Sequence, residues 1–149
     1  MTSGLLTAAL VETYTMVKGQ TEGLTHPDSL RVPTFGGNCA NWVLGHIVVT
    51  RMNVLSLLGE QPTWTCAESQ RYIPGSRPTT GSEGLEVERL IEDLHRTQEH
   101  LLPALAQLTP EVLASPAGEK TLGVELHRYA LHEAFHAGQL ELLRGMTGS

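Results

Sequence analysis

Apolar residues recur at steps of three and four along four long stretches of the chain, and no stretch alternates with a convincing period of two. Leu6, Leu10, Tyr14 and Val17 mark the first stretch and predict a helix over about residues 3–24. HPDSLRVPTFGGN, with two prolines and two glycines, then breaks the pattern. A second helix is predicted from a cap at Asn38 to a stop at Gly59. Its only formal charge is Arg51, so it is expected to be covered on most sides, by its own bundle and by a second subunit.

Residues 61–84 read as irregular, broken by Pro62, Pro74, Gly75, Pro78, Gly81 and Gly84. That is long for a connection in a compact domain, where roughly 4–6 residues are usual. Two readings are open: a rim over a site, carrying Trp64 and Tyr72, or a surface crossover joining two parallel helices. A third helix is predicted over about residues 83–108, with Leu90, Leu94, Leu101, Leu105 and Leu108 inward and a kink at Pro103. TPEVLASPAGEK reads as a loop with one helical turn, and a fourth helix follows over about residues 121–146. Four helices and one long crossover between the second and third predict an all-α four-helix bundle, as one domain over residues 1–149.

Composition narrows the function. Hydrophobic content of 40% and charge of 17% suit a folded, soluble chain. A net charge of −6 argues against nucleic acid or an anionic membrane as partner. The most apolar run, residues 40–58, is interrupted by Asn41, His46, Arg51 and Asn53, so a membrane span is not expected. The opening MTSGLLTAALVETY lacks a basic leader region, and Cys39 and Cys66 suit a reducing cytoplasm better than a disulfide scaffold. Cys39 is expected to be a small core residue rather than a reactive thiol.

The fourth helix carries LHEAFHAGQLELLR, which contains the H-E-x-x-H pattern of zinc peptidases. His132 and His136 stand about 40° apart around a helix turning ~100° per residue, a spacing that suits two imidazoles on one metal. Two hydrogen-bonded histidines without a metal fit the same spacing. Among the other histidines, His26 precedes a proline in a loop, and His95 and His100 lie among charges on a solvated helix face. His127 points elsewhere on the fourth helix. His46 differs, because it sits in the most apolar helix, where an unpartnered imidazole would cost on the order of 1–3 kcal/mol. A metal shared with His132 and His136 would satisfy it; so would an ordinary hydrogen bond in the core. Three imidazoles and an open position resemble a catalytic zinc-type site, although nickel, iron or copper also accept such ligands.

The peptidase reading does not extend further. A metzincin would carry glycine and histidine where Gln139 and Leu142 stand, and only 13 residues follow His136 to supply a third ligand. Glu133 is read as a helix-surface or outer carboxylate rather than a general base.

NWVLGHIVVTR on the second helix and LHEAFHAGQLELLR on the fourth resemble the DinB/YfiT-like superfamily of metal-dependent bundles, with the same order of elements over nearly the whole chain. The resemblance implies a divalent metal, zinc or nickel foremost and iron next, held by His46, His132 and His136. It also implies a homodimer and, by analogy with characterised relatives, transfer of a low-molecular-weight thiol such as bacillithiol or mycothiol to a small electrophile in detoxification or stress response. A non-catalytic metal- or ligand-binding bundle and a metal-dependent hydrolase are the alternatives. Around the triad, Gln139 is expected to orient a ligand, Asn53 to line the pocket and Trp42 to wall it or pack in the core. Arg51 and Arg144 have the charge to grip an anionic thiol cofactor, but surface ion pairs are the expected use of each.

Overall fold

The computed structural model describes residues 2–76 and 83–147. Four long helices carry the architecture: α1 (Ser3–Thr21), α3 (Ala40–Leu57), α5 (Val87–Ala106) and α7 (Leu122–Met146). Three short ones lie in the connections: α2 (His26–Ser29), α4 (Cys66–Gln70) and α6 (Pro110–Leu113). A two-residue antiparallel pair, β1 (Pro116–Ala117) with β2 (Lys120–Thr121), precedes α7. All four predicted helices are present, and the fold is the expected all-α bundle.

Local chemistry explains most boundaries. Threonine hydroxyls cap five of the helices, Thr2, Thr25, Thr65, Thr109 and Thr121 each accepting a backbone N–H from the first turn. Helix α4, inside a stretch expected to be irregular, is set by a full capping box between Thr65 and Glu68. Helix α3 starts one residue later than expected, at a Cys39 cap. It ends as predicted at Gly59, whose φ of +88° allows Glu60 N–H to reach Leu55 O and Gly59 N–H to reach Ser56 O. Helix α5 continues through Pro103 for three more residues, because a proline in the last turn removes only one of the ladder bonds.

The core is two apolar clusters stacked along the bundle, and each helix passes from one to the other. Leu6 and Leu10 of α1 lie in one cluster and Val17 in the other. Helix α7 runs the same way, from Leu122, Leu126 and Ala130 to Ala137, Leu140 and Leu143. Helices α3 and α5 run oppositely, from Val43 and Leu90 towards Leu55 and Leu105. Since α3 and α5 are parallel neighbours, the connection between them must climb back about 27 Å, the length of an 18-residue helix. That accounts for its length, and the crossover reading of residues 61–84 describes its path; the part at 77–82 lies outside the described residues.

Between the clusters lies one polar layer. Arg51 of α3 donates Nε to Glu133 Oε2 at 2.8 Å and Nη2 to Glu133 Oε1 at 2.6 Å, with the two residues only 1% and 2% exposed. Arg51 also donates to Gln98 Oε1 of α5 at 2.7 Å and to Leu10 O of α1 at 3.1 Å, and Thr13 of α1 donates to Glu133 Oε1. All four long helices therefore meet at one guanidinium and one carboxylate. The surface ion pair expected for Arg51 and the helix-surface reading of Glu133 are overturned: a bidentate fork, with further hydrogen bonds to Gln98 and Leu10 and from Thr13, lets both charges sit in the interior.

Fifteen of the eighteen residues of α3 are buried within the chain itself. The apolar surface that the sequence left for a second subunit is thus covered by α5, α7 and the crossover. Exposed large apolar residues are most numerous on α7, at Val124, Leu131, Phe135, Leu142 and Met146; others stand on α1 (Leu5, Val11, Met16), at the end of α3 (Leu57), at Val32 and Phe35 before α3, and at Leu102 and Val112.

The polar layer makes a stability prediction. Glu133→Leu, which strands the Arg51 charge, should cost about 3–5 kcal/mol in urea unfolding, and adding Arg51→Met should recover most of that loss. A double variant no more stable than Glu133→Leu alone would refute the assignment of the penalty to the stranded charge.

Candidate metal centre

His46 lies two turns into α3, one residue after Gly45, and Gly45 makes its placement possible. A Cβ on Gly45 would fall 2.3 Å from Cδ1 of Tyr72, so the absence of a side chain lets the Tyr72 ring lie directly on the helix. With the ring there, the Tyr72 carbonyl accepts a hydrogen bond from His46 Nδ1 at 2.7 Å. A carbonyl can only accept, so the proton is on Nδ1 and the Nε2 lone pair faces away from the crossover. Trp42, one turn before, stacks on the His46 ring at 4.9 Å and 14° and donates Nε1 to Ser76 Oγ at 2.8 Å. Trp42 is buried, so it both packs in the core and walls the site.

Helix α7 supplies the other two rings. His136 Nδ1 is bonded to Gln139 Oε1 at 2.7 Å, which turns its Nε2 towards the same point as that of His46. His132 Nε2 stands 3.3 Å from His46 Nε2 and 3.1 Å from His136 Nε2, and the three candidate ligand atoms lie within 4.8 Å of one another. The structure therefore brings together His46, His132, His136, Gln139 and Trp42. It does not bring Asn53, which is exposed on α3 about 10 Å along the axis from His46.

The donor set fits a cation. With Nδ1 protonated on His46 and His136, two lone pairs converge on His132 Nε2, and a single N–H there can serve only one of them. His132 Nδ1 is buried and has no hydrogen-bond partner among the described residues. A divalent ion between the three Nε2 atoms would use every lone pair, and ligands about 2.0–2.1 Å from a tetrahedral ion stand about 3.3 Å apart, close to the spacings found. Burial lowers the pKa of all three imidazoles, that of His136 to about 4, keeping them in the neutral, ligating form at pH 7. His132 is half-buried, so the cluster borders solvent on one side.

The neighbouring groups fall into place around this centre. Glu133 follows His132 directly but is turned about 100° around α7 into the polar layer, where Arg51 and Thr13 occupy both oxygens. Trp64 and Tyr72 are buried rather than forming an exposed rim: Trp64 Nε1 donates to Asp93 Oδ2 at 2.7 Å, and Tyr72 Oη donates to Asn41 Oδ1 while accepting from Leu85 N–H. Arg144 ties α7 to the end of α1 by donating to Glu22 O, in place of the expected surface ion pair. His100 is exposed as expected, whereas His95 is half-buried and bonded to Tyr14 Oη at 2.6 Å. Cys39 is buried in the core with its thiol pKa raised by burial, and neither cysteine forms a disulfide. The Tyr72 carbonyl was missed in the sequence because any residue supplies a carbonyl.

The family model of the DinB superfamily matches residues 9–140. The chain belongs to the DinB superfamily. Its fold is similar to that of a crystal structure of a conserved protein from Enterococcus faecalis, with a TM-score of 0.72 at 16% identity, covering 97% of this chain and 96% of that one. A comparison with the curated proteins finds no match. Among the described residues, no helix of this DinB-superfamily chain is long and apolar enough to cross a membrane.

Two predictions follow from the geometry. Gly45→Ala should push Tyr72 off α3, destabilising the fold by about 1–3 kcal/mol and weakening metal retention, because His46 loses its acceptor. Wild-type metal retention in that variant would separate Tyr72 from the site. The metal-free protein should keep constant stability from this cluster above the ordinary histidine pKa near 6.5 and lose it as the pH falls towards about 4. Over that window the unfolded chain takes up protons that the folded His136 refuses; His136→Gln should flatten the slope of melting temperature against pH there.

Proposed function

We propose that this DinB-superfamily protein holds one divalent metal on His46, His132 and His136 and uses it to transfer a low-molecular-weight thiol to a small electrophile. The observation that carries the reading is the convergence of three neutral Nε2 atoms whose other ring nitrogens are held, in two cases, by Tyr72 O and Gln139 Oε1. A metal bound there supplies Lewis-acid chemistry, lowering the pKa of a bound thiol as it does that of water. The chain's own residues hold and orient: Tyr72 and Gln139 fix the imidazoles, Trp42 shields His46 and burial keeps the rings uncharged. The thiol loses its proton to solvent, its sulfur forms a bond to the electrophilic carbon, and the leaving group departs with the displaced electron pair.

Thiol transfer is preferred to hydrolysis on one observation. The carboxylate next to the cluster, Glu133, has both oxygens committed to Arg51 and Thr13, which leaves it unsuited as a general base for water. A thiol of ordinary pKa, once acidified, requires no such base. Bacillithiol or mycothiol as the thiol, zinc or nickel as the metal and a detoxification or stress role remain part of the proposal, as does a homodimer in a reducing cytoplasm. Exposed Leu131 and Phe135 on α7 offer the second subunit a surface.

The test is elemental analysis of protein purified without a metal-affinity tag. About one zinc or nickel per chain is expected in the wild type and a small fraction of that in His46→Ala; equal sub-stoichiometric metal in both would sink the site. Loaded protein should then consume thiol in the presence of a chloro-aromatic or epoxide. Full metal with no turnover across several thiols would favour a non-catalytic binding bundle.

A further inference from the structure

The three imidazoles are not held alike. His46 gives its Nδ1 proton to Tyr72 O, and its ring is stacked on Trp42 at 4.9 Å. His136 Nδ1 donates to Gln139 Oε1, and its ring meets the edge of Phe135 at 5.1 Å. His132 has neither kind of support. Its Nδ1 is buried and, among the described residues, has no hydrogen-bond partner. The rings it meets there are those of the other two histidines, edge-on at 4.4 and 5.1 Å. It is also the least covered of the three, half-buried where His46 and His136 are 4% and 7% exposed.

The difference matters because a neutral imidazole has a single N–H. A ring that offers Nε2 to a cation must carry its proton on Nδ1. In His46 and His136 that proton is given to an acceptor. In His132 the same state leaves a buried N–H with nothing to receive it, which opposes the bond made at Nε2. Outer hydrogen bonds of this kind contribute roughly 10- to 100-fold in metal affinity. Without a cation the preference reverses, because a proton on His132 Nε2 has the other two Nε2 atoms as acceptors at 3.1 and 3.3 Å. Two rings are therefore set in advance for a cation, and the third is not.

We propose that His132 is the exchangeable ligand of this centre: His46 and His136 retain the metal, and His132 gives up its place to the incoming thiol. The inference rests on the metal and thiol reading given above and adds which bond yields. In the exchange His132 Nε2 leaves the metal, the thiol sulfur takes its position and the thiol proton passes to solvent. The His132 ring can turn outward because one side borders solvent and, among the described residues, no stacked ring covers it.

Protein loaded with NMR-active cadmium and labelled in its histidine nitrogens reads each ligand separately, through cadmium–nitrogen coupling. His46, His132 and His136 should all be coupled in the wild type, and His132 alone should lose its coupling when β-mercaptoethanol is added. His132→Ala should hold cadmium about 10- to 100-fold more tightly than His46→Ala or His136→Ala. With the thiol bound, its cadmium shift should coincide with that of the wild type. In the metal-free protein the nitrogen spectrum should place the proton of His132 on Nε2 and those of the other two on Nδ1. A thiol complex that keeps the His132 coupling, or equal losses of affinity in the three variants, would overturn the exchange and leave the metal reading intact. No coupling to any histidine would overturn both, and a cadmium signal that the thiol does not move would overturn the thiol reading together with this inference.

Discussion

The contact between Arg51 and Glu133 sets the geometry of everything else. The guanidinium meets the carboxylate side-on, through Nε and Nη2, and this planar two-bond contact ties the register of α3 to that of α7. His46 lies five residues before Arg51, and His132 and His136 bracket Glu133. A slip of one helical turn would move the rings by about 5.4 Å and separate atoms that now stand 3.1 and 3.3 Å apart. Apolar packing alone would not forbid that slip, because leucines and valines exchange holes at modest cost. The buried charges add specificity of alignment, and Thr13 and Gln98 extend that alignment to α1 and α5.

Two kinds of environment meet at the histidines. From the core side come desolvation and the stacked Trp42, which keep the imidazoles neutral. The hydrogen bonds that choose a tautomer come from the crossover, through Tyr72 O, and from the next turn of α7, through Gln139 Oε1. Burial without those bonds would leave rings free to flip, and the bonds without burial would leave rings that protonate near neutral pH. The long crossover is therefore part of the centre: its length is required by two parallel helices, and one carbonyl along its path orients His46.

Much of this was legible in the sequence. Periodicity located the four long helices, and Gly59 marked the end of α3. His46 stood out because an imidazole in the most apolar helix needs a partner, and the i, i+4 pair on α7 matched it. The polar layer was misread. Arg51 is the sole charge in an apolar helix, the same signal that singled out His46, yet a long side chain can usually reach solvent and was assigned there. Asn53 shares the helical phase of His46, but seven residues of rise, about 10 Å, carry it past the reach of the other two rings. Helix α4 escaped notice because prolines and glycines flank a helix only five residues long. The apolar surface of α3 was assigned to a second subunit, although the crossover that covers part of it shows no periodic pattern of its own.

The two oriented imidazoles differ in how they respond to genetic change. His136 depends on an amide side chain that one codon change removes. His46 depends on a main-chain oxygen, which no substitution at position 72 can delete; only displacement of the backbone, by a bulkier residue at position 45 or an altered crossover, can withdraw it. Variation within such a centre should therefore appear as point changes around His136 and as insertions or deletions around His46, so that one ligand drifts by chemistry and the other by shape.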